Sequence, residues 1–325
     1  GSDWTTTTVA PASYCPHLDV IPLSLAYNAN ANLAAISFFD HCEAIYRVAI
    51  GLTPVGDVWV WPLEEPPDLE NGDWASAPFG SDIAIDDQGK IHLATIDDFM
   101  VYYLWRTEDD GWETTGTPLR RENEWLVQDV SLALGPDGKP YIAWDTDGIN
   151  YAYPTILNNF IIEHVTSDVS TGLGLSLVMD NSGVPSIAFN NQNMLKYARR
   201  TDTDTWEVSI ADPGVSCNAS QFPSLALDAA GNPHISYHCR ADLSHGSVRY
   251  ASWDGAAWQI EHASPYYLEN EWTSLVLDEA DVPPILYTHY DDLSYAPRTE
   301  VPPEAYIDNR PPLNDPLTTA TFTFH

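Results

Sequence analysis

Four histidines, His17, His41, His238 and His289, stand at the ends of alternating apolar and polar runs, in "CPHLD", "FFDHC", "SYHC" and "YTHYD". Imidazoles gathered at one place bind copper or zinc, and one of them beside a carboxylate acts as a general base. Similar run ends carry Asp98, Asp145, Asp147 and Asn190, which suit calcium or a cationic group, and the bland reading of all these residues is solvated loop decoration. Trp125 and Trp272 close two copies of "ENEW", where an indole face beside carboxylates can stack on a sugar ring or simply wedge between packed elements. His238 is followed by Cys239, which raises a thiolate or a Cys/His zinc site against a disulfide.

The elements that position these residues repeat. Hairpins begin at Ser24, Asp82, Ser131, Ser176, Ser224 and Ser274, at intervals of 58, 49, 45, 48 and 50 residues. Each alternates, turns through Asp, Gly or Asn, and resumes a β-branched and aromatic run, as in "SLALDAAGNPHISYH". A third strand carries Tyr46, Tyr102, Tyr151, Tyr197, Tyr250 or Tyr295, and a fourth opens on Trp59, Trp112, Phe160, Trp206 or Trp258. Four antiparallel strands at this period make a propeller blade. The expectation is an all-β, six-bladed β-propeller over residues 1–298 with a Pro-rich tail over 299–325. The sixth copy lacks its fourth strand, and "DWTTTTVAP", with Trp4, supplies it and closes the ring. Seven blades result if "TTATFTFH" adds strands.

In such a ring the approach to the first strand and the exit of the second share a face. That places Cys15 beside Cys42 and Cys217 beside Cys239, and predicts two equivalent disulfides, each contributing about 3–4 kcal/mol by chain-entropy reasoning. No CxxC pair supports zinc at the cysteines. The four histidines fall on blades five, six and one, consecutive once the ring closes. His92 and His234 lie inside second strands, where a structural role is expected.

With 13 basic against 47 acidic residues the net charge is −34, which disfavours nucleic acid and anionic membrane surfaces. No apolar run reaches the length of a membrane helix. Paired cysteines point to a secreted, periplasmic or cell-surface protein.

The unit "PSLALDAAGNPHISYH…VRYASWDGAAWQIE" resembles repeats of secreted bacterial β-propellers of the sialidase-like, BNR-type group. The S-x-D-x-G-x-x-W box and an arginine triad of true sialidases are missing. Propellers of ulvan-degrading lyases are similar, and that resemblance implies His238 as base, Arg240 as carboxylate neutraliser and Tyr290 as acid. The preferred expectation is a monomeric binding module for a glycan, protein or metal ion at one mouth of the channel. A polysaccharide lyase or glycoside hydrolase is the alternative. Ten arginines in so acidic a chain suit an anionic polymer poorly.

Overall fold

The computed structural model describes residues 23–40, 45–55, 58–67, 80–97, 100–115, 118–119, 127, 129–146, 148–155, 159–167, 174–191, 193–214, 217, 219–240, 246–264, 272–278, 280–289 and 292–296. They form six antiparallel sheets in chain order. Sheet one holds β1 (Leu23–Asn28), β2 (Leu33–Asp40), β3 (Ile45–Val55), β4 (Val58–Val60) and β5 (Leu63–Glu64), the last two both pairing with β3. Sheet two holds β6 (Ser81–Ile85), β7 (Ile91–Asp97), β8 (Met100–Thr107) and β9 (Gly111–Thr114). Sheet three holds β10 (Val130–Leu134), β11 (Pro140–Asp145), β12 (Ile149–Pro154) and β13 (Phe160–Thr166). Sheet four holds β14 (Leu175–Met179), β15 (Pro185–Asn191), β16 (Met194–Asp202) and β17 (Thr205–Asp212). Sheet five holds β18 (Ala219–Leu227), β19 (Pro233–Arg240), β20 (Gly246–Trp253) and β21 (Trp258–His262). Sheet six holds β22 (Thr273–Leu275), β23 (Ile285–His289) and β24 (Asp292–Ala296). This is a six-bladed β-propeller, with three strands in the last blade among the described residues.

The hairpin turns follow from one carboxylate. Asp86, Asp180, Asp228 and Asp278 each accept the backbone N–H groups two and four residues on, at 2.7–2.9 Å. The chain then passes through the left-handed region at Gly89, Gly183 and Gly231, where glycine has no Cβ penalty, and at Asp281, where aspartate is tolerated.

The recurrent Ser-Leu pair explains how the sheets hold one another. Ser24, Ser131, Ser176 and Ser224 each accept, through Oγ, the amide of Ile83, Leu177, Leu225 and Leu275 on the first strand of the next sheet, at 3.0–3.2 Å. In sheet two Asp82 takes the serine's place and its Oδ2 accepts the Leu132 amide at 2.8 Å. The following apolar residue packs back on the preceding sheet. Ile83, Leu132, Leu177, Leu225 and Leu275 are all buried, whereas Leu25, the equivalent residue of sheet one, is 64% exposed.

Tyr46 and Tyr102 lie in third strands, as expected. The residue of sheet two in register with Tyr151, Tyr197 and Tyr250 is Tyr103, opposite Ala94, next to Tyr102, which pairs with Thr95; in sheet one it is Val48, opposite Ser37. Tyr46 instead donates its hydroxyl to the Gly80 carbonyl at 3.0 Å. His92 and His234 lie within second strands: His92 bridges Tyr103 at 2.7 Å and Asp86 at 3.4 Å, and His234 bridges Tyr250 and Asp228.

Candidate functional site

Asp145, Asn190 and His238 occupy the same position at the exits of β11, β15 and β19, one residue beyond Trp144, Phe189 and Tyr237. In sheet three Asp145 is buried and its Oδ1 accepts the Asp129 amide at 2.7 Å. In sheet four Asn190 is buried and donates Nδ2–H to the Gly174 carbonyl at 3.4 Å. Both bonds tie a second-strand exit to the approach of the first strand in the same sheet. Sheet five makes this tie covalently, through the disulfide Cys217–Cys239.

His238 is thereby left without that duty. It is 4% exposed, and neither ring nitrogen has a hydrogen-bond partner among the described residues. Burial, reinforced by the Arg240 charge, pushes its pKa down to about 4, so the imidazole is neutral at pH 7, one donor and one acceptor. Strand alternation sets its direction. Tyr237 faces sheet four, donating to Asp212 Oδ2 at 2.5 Å beside Arg249, which reaches the same oxygen at 3.1 Å. Burial first, then Asp212, holds the Tyr237 hydroxyl well above its ordinary pKa. His238 therefore points the other way, as Ser236 does, whose Oγ bonds Thr273 of sheet six at 2.9 Å.

The backbone bends sharply beside this histidine. The β18 register breaks between Gln221, the neighbour of His238 across the ladder, and Ser224, and Phe222 adopts a φ of +50°. A bulky residue rarely does this, and such strain concentrates at functional positions. Gly174 makes room for it, since a Cβ there would lie 2.7 Å from the Phe222 Cα. Trp272 stacks on the Phe222 ring at 4.2 Å, half-buried between sheets five and six. Its indole thus packs on a residue of the neighbouring sheet.

The carboxylates along the inner strands serve as amide acceptors. Asp129 Oδ2 accepts the Leu175 amide at 2.9 Å, and burial with the Asp145 charge holds its pKa well above the carboxylate range. Burial likewise raises Asp82. Asp98, Asp147, Trp125, His17, His41, Tyr290, Cys15 and Cys42 lie outside the described residues, and so does the side chain of His289. Among the described residues no group of three or more His, Cys, Asp or Glu is placed to hold a metal ion. Nor does any helix among them have the length and apolarity to cross a membrane.

A second feature went unmarked in the sequence. Trp105, Thr115, Pro118, Leu119, Asn159, Phe160 and Ile162 line a cavity of about 340 Å3 between sheets two and three. Its aromatic walls are braced: Tyr103 stacks on Trp105 at 5.4 Å and meets Phe160 edge-on at 5.3 Å, while Lys90 sits 5.0 Å over the indole. Among the described residues none of the lining side chains is ionisable.

The sequence matches no protein-family model and no curated protein. Solved structures share the fold. A protein from Lactobacillus plantarum aligns with TM-score 0.57 at 12% identity, over 86% of this chain and 81% of that one. A Hadza microbial sialidase aligns with TM-score 0.53 at 12% identity, over 85% and 65%. An ulvan lyase of a polysaccharide lyase family aligns with TM-score 0.53 at 11% identity, over 81% and 75%.

Proposed function

We propose that the protein is an extracellular carbohydrate-binding propeller that holds a neutral saccharide at the channel mouth, with His238 as its polar anchor. The observation that carries this reading is the buried imidazole of His238, which has no hydrogen-bond partner among the described residues. An unsatisfied buried polar group costs about 1–3 kcal/mol, and a sugar hydroxyl, itself donor and acceptor, offsets that cost on binding. The disulfide beside it fits an oxidising compartment. Propeller relatives named as a sialidase and an ulvan lyase place carbohydrate chemistry on this fold without assigning it to this chain.

Binding is favoured over catalysis by the electrostatics. A general base works best with a pKa near the operating pH, and an imidazole held at about 4 is a weak one. The test is a glycan array followed by calorimetry. Binding of neutral glycans that falls at least tenfold in His238→Ala supports the reading. Turnover of a uronate polymer that disappears in His238→Ala overturns it in favour of a lyase. Binding lost in Trp105→Ala but kept in His238→Ala moves the site to the cavity between sheets two and three. Copper, zinc or calcium found in stoichiometric amount by elemental analysis, and lost with His238, replaces the sugar with a metal ion.

A further inference from the structure

Two sheet junctions are closed by one kind of clamp. Between sheets one and two, Glu64 accepts Arg106 Nε at 2.6 Å, Arg106 Nη2 at 2.7 Å and Trp112 Nε1 at 2.9 Å. Between sheets three and four, Glu163 accepts Arg200 Nε at 3.0 Å, its Nη2 more closely, and Trp206 Nε1 at 3.2 Å. The glutamates hold one register position, opposite Val48 and Tyr151, and their partners are ladder pairs of the next sheet, Arg106 with Trp112 and Arg200 with Trp206.

Between sheets two and three the same positions carry other residues. Thr115 takes the glutamate's place: it follows Thr114, which stands opposite Leu104, and its amide donates to the Tyr103 carbonyl at 3.3 Å. Pro154 takes the arginine's place and Phe160, its ladder partner, the tryptophan's. A carboxylate, a guanidinium and an indole N–H are thus exchanged for a hydroxyl, a pyrrolidine and a phenyl ring. Sheets four and five also lack the clamp, with Ser209 opposite Tyr197, but there Trp253 stands in the arginine's position and meets Trp258 edge-on at 5.7 Å. Nothing of that bulk replaces the pair between sheets two and three, and the junction opens as the cavity of about 340 Å3 with Thr115 and Phe160 in its wall.

The wall is held open. Tyr103, which stacks on Trp105 and meets Phe160 edge-on, has its hydroxyl 2.7 Å from His92 Nδ1. His92 Nε2 in turn lies 3.4 Å from Asp86, whose other oxygen closes the hairpin turn. A pocket fixed in this way binds without first reorganising.

We propose that this cavity is a second ligand site, taking a neutral aromatic molecule of about two fused rings. An apolar cavity of about 150 Å3 takes benzene, so this larger one has room for a second ring. Rings pack edge-on or offset against walls such as Phe160 and Trp105. A saccharide suits the walls less well: the polar side chains of the described lining are Thr115 and Asn159, and the several hydroxyls of a pyranose would be costly to bury against Leu119 and Ile162. A net charge of −34 disfavours an anionic ring. The site lies apart from His238 of sheet five and does not rest on the saccharide reading there.

The test is calorimetric titration of the full chain with 1-naphthol, with 1-naphthoate and methyl glucoside as controls. One naphthol should bind per chain, methyl glucoside should not displace it, and 1-naphthoate should bind at least tenfold more weakly. The triple variant Thr115→Glu, Pro154→Arg and Phe160→Trp rebuilds the clamp of the neighbouring junctions, and should weaken naphthol binding at least tenfold with an unchanged circular dichroism spectrum. Ile162→Trp fills the same space by a single change, should weaken it likewise, and serves where the triple variant misfolds. His238→Ala should leave naphthol binding unchanged, whatever becomes of glycan binding. Absence of saturable binding, undiminished affinity in a folded filled variant, displacement by methyl glucoside, equal affinity for 1-naphthoate, or loss of naphthol binding in His238→Ala would each overturn the proposal.

Discussion

Acidification should expose the cost of keeping His238 neutral. Its pKa falls from 6.5 to about 4 on folding. As pH drops below 6.5 the unfolded chain takes up a proton that the folded chain refuses, so stability is intact above 6.5 and is lost progressively down to the folded value. The gap is roughly 2.5 pH units, and at about 1.36 kcal/mol per unit it amounts to about 3 kcal/mol by pH 4. His92, also lowered to about 4 by burial and Lys90, acts in the same direction. Asp82 and Asp129 oppose it: their folded pKa values are raised, so they gain stability as pH falls. The clean quantity is therefore the difference between wild type and His238→Leu, in which the other groups cancel. Urea unfolding followed by tryptophan fluorescence at pH 7, 6, 5 and 4 should give a difference that grows by about 3 kcal/mol in favour of the variant. A difference curve flat across that range, or a His238 ring titrating near 6.5 by NMR, would refute the reasoning.

Ser176→Ala removes the acceptor of the Leu225 amide between sheets four and five, and should cost about 1–3 kcal/mol in urea unfolding with no change of fold by circular dichroism. Opening the Cys217–Cys239 bridge, which spans 22 residues, should cost about 3 kcal/mol. A thiol count under denaturing conditions should rise by one, the freed Cys239, in Cys217→Ser relative to the unmodified chain.

How much of this was legible beforehand depends on distance along the chain. Period-two alternation, turn residues and the spacing of six hairpins are local properties, so the propeller and the Cys217–Cys239 pair follow from reading one repeat against another. The register between strands is not local, and a slip of one residue exchanges the two faces of a strand. That is why a pattern that marks Tyr102 in the third strand does not tell that its neighbour Tyr103 is the side chain that meets Phe160 of the next sheet. Asp145 and Asn190 have the composition of mouth ligands, yet their burial and their bonds to Asp129 and Gly174 depend on how two strands meet. His238 stands apart from them only because a disulfide one residue away does the work that their side chains do.

Charge and aromatic content, the hairpin period and the pairing of Cys217 with Cys239 were determined by sequence, since each is read along the chain, from composition or from one repeat set against another. Which serine carries a neighbour's amide, which glutamate holds a neighbour's arginine, and where Trp105 and Phe160 enclose a cavity were decided by tertiary structure. Those contacts join residues from different repeats, and their geometry exists only after the sheets are arranged around a common axis.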